Sequence, residues 1–223
     1  MPYRRTEKVL ERLAARREDI LAAARAVAAV NGLAGVQIVP VAERAGIAAG
    51  TVYRYFPAKA DLVAALVEQV TEQEIAAMAQ AAAAAPGPLS ALAAAVTTFA
   101  GRAMRQRRLV YAALAEPVEP DIEEMRLGCR RKVAEAIEIR ITAAVAAERL
   151  PEQDTRIGSD AVLGSVMEGL IGPLAPDSAD PAKQKDAVQA LALFALRALG
   201  VVDARARGLV VQAPWPTGDD AAA

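Results

Sequence analysis

The chain has 223 residues, 26 cationic and 27 acidic side chains, no histidine and one cysteine, Cys129. Without histidine there is no Ser-His-Asp or Cys-His catalysis and no imidazole ligand for zinc; with one cysteine there is no intrachain disulfide and no cysteine-rich metal site. Hydrophobic residues make up 54% and aromatics 4%, and alanine fills most of the difference, which suits close-packed helices better than strands.

The near-neutral total hides an asymmetry. Residues 1–59 carry ten Lys/Arg and five acids, a net +5, and the remainder carries a net −6. A basic end on an acidic body has two readings, a polyanion-binding module or a basic amphipathic helix in solvent. The N-terminus has charge without an apolar segment behind it, so no secretory signal is expected. The apolar stretches 75–100 and 187–202 are interrupted or short, so no membrane span is expected. A soluble cytoplasmic protein is the expectation.

In chain order, a first helix is predicted over about 16–30, with Ile20, Leu21, Ala24, Val27 and Ala28 on one side and Asn31-Gly32 as its stop. Short helices follow over about 39–45 and 49–56. Pro40 is tolerable only in a first turn, where its missing N–H loses no partner. A long helix runs from about 58 to 84 and ends at Pro86-Gly87-Pro88. Leu89, Leu92, Val96, Phe99 and Ala103 form the next stripe, and a short helix surrounds 109–115. Pro117 and Pro120 bracket a loop. Met125, Cys129, Val133, Ile137 and Ile141 mark a long helix to about 148. Helices over 154–174 and 181–202 follow, and residues 203–223, with Pro214, Pro216 and Gly218, read as an irregular tail.

The segment 38–56 carries the functional signal. Two short helices are joined by a tight turn, with Ala42 small at their crossing, Gly46 at the turn and Val52 as the apolar plug of the second helix; Val41, Ala45 and Ile47 add buried contacts. In such a helix-turn-helix the second helix enters a major groove by its N-terminal end. Its exposed residues would be Ala48, Ala49, Gly50, Thr51, Tyr53 and Arg54. Arg54 can bond a guanine edge or a phosphate, and Tyr53, Tyr55 and Lys59 can reach phosphate oxygens. The alternative for the tyrosines, Tyr55 above all, is packing in a small three-helix core.

Residues 17 to about 66 resemble the DNA-binding domain of TetR-family regulators. The likeness rests on Val41-Ala42-Glu43-Arg44-Ala45-Gly46-Ile47 and on the run from Gly50 to Leu62, with its Tyr53-x-Tyr55-Phe56 and Lys59-x-x-Leu62 spacing. It covers under a quarter of the chain. The resemblance implies an all-α protein: an N-terminal arm and three-helix DNA-binding domain over 1–59, and a helical effector-binding and dimerisation domain over 60–202. It also implies a homodimer on a palindromic operator, released by a small ligand. Phosphate contacts carry over to Gln37, Tyr55 and Lys59, and recognition-helix contacts to Ala48 through Arg54. Three positions depart from the pattern. Gln37 and Ala48 stand where side-chain caps are usual, each cap typically worth about 1 kcal/mol, and Ala28 stands where an aromatic usually packs.

Arg4, Arg5, Arg12, Arg16 and Arg17 precede the motif. They form either an arm reaching a minor groove or phosphates, or a solvated extension of the first helix. In the regulatory half the candidate effector-pocket residues are Phe99, Met104, Tyr111, Met125, Cys129 and Met167, with plain core as their alternative role. The resemblance places the dimer interface on the last two long helices, through Ala161, Val162, Ser165, Val166, Gly169, Leu191, Phe194 and Leu196. No cofactor, no metal and no catalytic residue is expected, and the lack of histidine favours a metal-free organic effector. The function expected is a ligand-responsive transcriptional regulator, a repressor binding double-stranded DNA. The alternatives are a constitutive DNA-binding protein, or an all-helical enzyme using Glu116, Glu119, Glu123 and Glu124.

Overall fold

The computed structural model describes residues 3–118, 120–175 and 179–215. Among these there are ten α-helices, a 3-10 turn, a π turn and no strand, so the alanine-rich composition is expressed as an all-α fold. None of the described helices is long and apolar enough to cross a membrane.

The first helix, α1, spans Tyr3–Asn31. It starts thirteen residues ahead of the predicted start at Arg16. Where their side chains are described, those extra turns bury nothing, since residues 7–19 are all exposed. They rest on helix propensity, and among the described residues the first ion pair along the helix is Arg16–Asp19 at 3.5 Å, just beyond them. The solvated-extension reading of the early arginines therefore describes the backbone, while the side chains of Arg4 and Arg5 lie outside the described residues. α1 stops at Gly32, whose φ of +68° and N–H bond to the Ala28 carbonyl close its last turn.

A 3-10 turn at Leu33–Gly35 leads into α2 (Ile38–Arg44) and α3 (Ala49–Tyr55). Pro40 sits in the first turn of α2, as its chemistry requires. α4 (Lys59–Ala83) begins where the Asp61 carboxylate accepts the Ala58 N–H at 2.9 Å. α5 (Pro88–Arg105) and α6 (Arg107–Leu114) are separated by Gln106 alone. α7 spans Pro120–Ala146, so Pro120 ends the loop by opening a helix. A proline at the first helical position loses no hydrogen bond.

α8 (Thr155–Val166) is capped by Asp154, whose carboxylate accepts the Arg156 and Ile157 N–H groups at 3.0 Å. It ends earlier than predicted, running into a π turn over Met167–Ile171. α9 (Pro181–Ala198) has Asp180 as its cap. The predicted irregular tail is corrected over its first half: α10 spans Asp203–Gln212 and seats Ala206, Leu209 and Val210 in the core. Arg205 and Arg207 beside those positions masked the apolar period. Pro216 and Gly218 lie outside the described residues.

Two apolar cores are present. The head core joins α1, α2, α3 and the first half of α4 to Leu109, Ala112 and Ala113 of α6 and to Ile122 and Cys129 of α7. The body core gathers the second half of α4 with α5, α7, α8, α9 and α10. α4 thus belongs to both, and the head's apolar packing continues past residue 59 as far as Val70.

Candidate nucleic-acid interface

The reading head is set by a few small residues. Ala42 is 2% exposed where α2 meets α3, and the Ile47 N–H bonds back to the Ala42 carbonyl at 3.0 Å. Gly46 has φ +65°, a left-handed conformation that side chains with a Cβ resist, although open space surrounds the position. Val52 and Phe56 plug α3 into the head core. The Arg17 guanidinium lies 5.2 Å from the Phe56 ring centroid, which ties the exposed stretch of α1 to the end of α3.

With Val52 inward, the opposite face of α3 is left to solvent. Ala48, Gly50, Tyr53 and Arg54 are exposed, and Ala49 and Thr51 are half-buried. The start of α3 has no side-chain cap. Gln37 is exposed ahead of α2, also without a capping bond; its amide donates to the Ala34 carbonyl at 3.0 Å. Tyr55 is half-buried against the head core, and Lys59 is half-buried at the start of α4. The packing alternative for Tyr55 thus describes its ring. All nine sequence-derived residues belong to one run of α2, α3 and the α4 start.

Where the head adjoins the body lie polar groups that sequence reasoning missed. Arg102 of α5 donates to both oxygens of Glu74 of α4, at 3.0 and 3.1 Å, with side-chain exposures of 5% and 1%. Arg25 of α1 donates to Gln73 and, at 2.7 Å, to Gln106 at the α5–α6 joint. Burial raises the Glu74 carboxyl above the ordinary carboxylate range, against the pull of Arg102 and Arg25. Burial likewise lowers Arg25, with Glu74 opposing that shift. A signal was available: Glu74 interrupts the apolar stripe Val67, Val70, Met78, and Arg102 continues the stripe Val96, Phe99. A second tie is Glu116, which accepts the Leu33 N–H at 3.1 Å and pairs with Arg108 at 3.4 Å.

The family description "Bacterial regulatory proteins, tetR family" matches residues 20–66. Its span coincides with the head from the buried part of α1 into α4. The N-terminal domain is a TetR-family domain. Among characterised relatives, the HTH-type transcriptional repressor KstR of Mycolicibacterium smegmatis is 52% identical over 48 residues, 22% of this chain and 24% of the relative. KstR of Rhodococcus jostii is 45% identical over 58 residues, 26% of this chain and 27% of the relative. The match therefore spans about a quarter of those relatives' length. Two solved structures share the fold far more widely. RolR in complex with resorcinol superposes with a TM-score of 0.65 at 22% identity, covering 93% of this chain and 98% of that one. FadR from Bacillus subtilis in complex with stearoyl-CoA gives 0.67 at 22% identity, covering 82% and 96%.

Behind the TetR-family head, the six pocket candidates do not form one group. Phe99, Met104 and Met167 are buried in the body core, with Tyr111 half-buried against it. Met125 and Cys129 belong to the head core, and the Cys129 thiol contacts the Met125 sulfur at 3.6 Å. Around the α5–α6 joint, Arg102 is internal with Glu74, while Arg107 donates to the carbonyls of Ile171, Gly172 and Ala175 at the end of the π turn.

The eight dimer candidates split by face. Val162, Val166 and Leu196 are buried within the single chain. Ala161, Gly169 and Phe194 are exposed, and Ser165 and Leu191 are half-buried. Ala161, Val162, Ser165 and Phe194 line a largely apolar groove of about 490 Å³ between α8 and α9. Of the acidic cluster weighed for catalysis, Glu123 pairs with Arg126 at 2.5 Å and Glu116 is committed to the seam with the head; Glu119 lies outside the described residues.

Proposed function

We propose that the chain is a transcriptional repressor that binds a palindromic DNA operator as a homodimer and is released by a small organic effector. One observation carries the DNA-binding reading. The exposed face of α3, with Arg54 and Tyr53, lies in one structural unit with Gln37, Tyr55 and Lys59, which flank it in sequence. Arg54 supplies the bidentate donor that a guanine edge accepts, and the flanking residues supply phosphate donors. The likeness to repressors over the head supports the same reading, as do ligand complexes among proteins of this fold. The test is a gel shift or fluorescence anisotropy titration with the duplex upstream of the chain's own gene, repeated over a salt series. The expected result is saturable binding whose log affinity falls linearly with log salt. Absence of binding at low salt to this duplex and to a selected random pool would overturn it.

The constitutive alternative draws on Phe99, Met104 and Met167 being closed into the core. Release of the duplex by any member of a small-molecule panel separates the two readings, with effector release as the expected outcome.

A further inference from the structure

The TetR-family head and the body share α4, whose first half lies in one core and second half in the other. Two bodies joined through one helix keep a rotation about it unless something off its axis stops them. The contact of α6 with the head, through Leu109, Ala112 and Ala113, lies off that axis. Apolar burial is non-directional, however, and sets closeness better than angle. Hydrogen bonds are directional and weaken steeply when misaligned. The Arg25 guanidinium makes two of them from the part of α1 that lies in the head core. It donates to Gln73, just past Val70 where the head half of α4 ends, and to the Gln106 side chain at 2.7 Å. Gln106 is the single residue between α5 and α6, with a non-helical φ of −112° and ψ of 36°. A planar guanidinium that bonds both glutamines at once pins α1, α4 and the start of α6 at one point. Glu116, the other tie at this seam, holds the Leu33 N–H of the 3-10 turn and not α1 itself.

We propose that Arg25 is a positioning residue that sets the angle of the reading head to the body, and with it the spacing of the two DNA half-sites that the dimer accepts. The angle rests on the joint alone; the spacing rests on the proposed DNA-binding homodimer. Each base pair added between half-sites moves the second one by about 3.4 Å and turns it by about 35°. Heads held at a fixed angle cannot follow such a step, whereas heads free to turn about α4 can. The exposed face of α3 then chooses the half-site sequence, and Arg25 chooses the separation.

The joint is read first, in the full-length chain without DNA. Spin labels go on Arg44→Cys in the head and Arg205→Cys in the body, both exposed positions, while Cys129 is 3% exposed and stays unlabelled. Double electron–electron resonance on labelled chain diluted with unlabelled chain should give one narrow distance distribution. Arg25→Met should broaden it with the far-ultraviolet circular dichroism held. The spacing is read next, by anisotropy on the duplex that the native chain enriches from a random pool, remade with its half-sites one base pair closer and one further apart. The native chain should favour the enriched spacing by about tenfold or more, and Arg25→Met should reduce that preference to within about threefold, because a second half-site out of reach forfeits its avidity. On a single half-site the two should bind alike. Arg25→Lys, which reaches one glutamine at a time, should restore the preference in part. Gln106→Leu should reproduce the loss, and combining it with Arg25→Met should add nothing further. A distribution that Arg25→Met leaves narrow would overturn the joint. A broadened one with the native spacing preference would overturn the role in spacing and keep the joint. Failure to enrich any duplex would overturn the DNA-binding reading and the spacing role with it, while the spin-label distances still decide the joint.

Discussion

Glu74 and Arg102 face each other with almost no exposure, so neither can lose its partner cheaply. Arg102→Met strands a buried carboxylate, and the expected loss is about 3–5 kcal/mol of unfolding free energy by chemical denaturation. Adding Glu74→Leu should recover most of it, because two apolar groups need no partner. The pair also sets a pH response. Burial raises the Glu74 carboxyl above its ordinary 4.5, so the folded chain holds this proton more tightly than the unfolded one. The associated stability is present below the ordinary value and is lost as pH rises through the raised one. Glu74→Gln has no such proton, so its melting temperature relative to the native chain should rise across that window. At the DNA face the expectation is different in kind. Arg54 is exposed and supports no core, so Arg54→Ala should weaken duplex binding by about 1–3 kcal/mol and leave the melting temperature unchanged.

Among the elements, α1 carries the most separable prediction. A helix is about 10–12 Å across and a minor groove about 6 Å wide, so an α-helical arm cannot enter one; phosphates remain open to Lys8, Arg12 and Arg16. Deleting residues 1–15 keeps Ile20, Leu21 and Ala24 in the head core and removes only exposed residues among those described. The melting temperature should stay within about 2 °C. The slope of log affinity against log salt should become shallower by roughly one unit for each phosphate that the arm had neutralised. This helix also marks what the sequence could tell. Its buried half was legible because Ile20, Leu21, Ala24 and Ala28 follow the helical period. Its exposed half was not, because no packing stripe had to close there. The turn at Gly46, the plug at Val52 and the exposed face of α3 were equally legible, since each follows from local chemistry. The joint of Arg25, Glu74, Arg102 and Gln106 depends on residues up to 81 positions apart, a distance that no local pattern encodes. α10 was hidden by Arg205 and Arg207 beside a short apolar face.

At the scale of the molecule, the single chain leaves apolar surface on one side. Phe194 is 60% exposed and Ile157 67% exposed, and both line the groove between α8 and α9. Small residues lie beside them: a Cβ on Gly158 would stand 3.0 Å from Leu199, and one on Gly169 3.0 Å from Leu191. Small residues permit close helix approach, and the large exposed ones supply the area a second copy would bury. A two-fold arrangement uses the same patch twice, so one substitution acts on both sides of the interface. Phe194→Asp places two carboxylates in the proposed interface and changes nothing in the body core, since Val188, Ala192, Ala195 and Leu196 face inward. The variant should keep its far-ultraviolet circular dichroism and sediment as a monomer. On a palindromic operator, the second half-site is then no longer bound intramolecularly, and affinity should fall by about 10²–10⁴. On a single half-site the variant and the native chain should bind alike. A Phe194→Asp chain that still sediments as a dimer would move the interface away from α8 and α9. A monomer with undiminished operator affinity would instead remove the dimer from the binding mechanism.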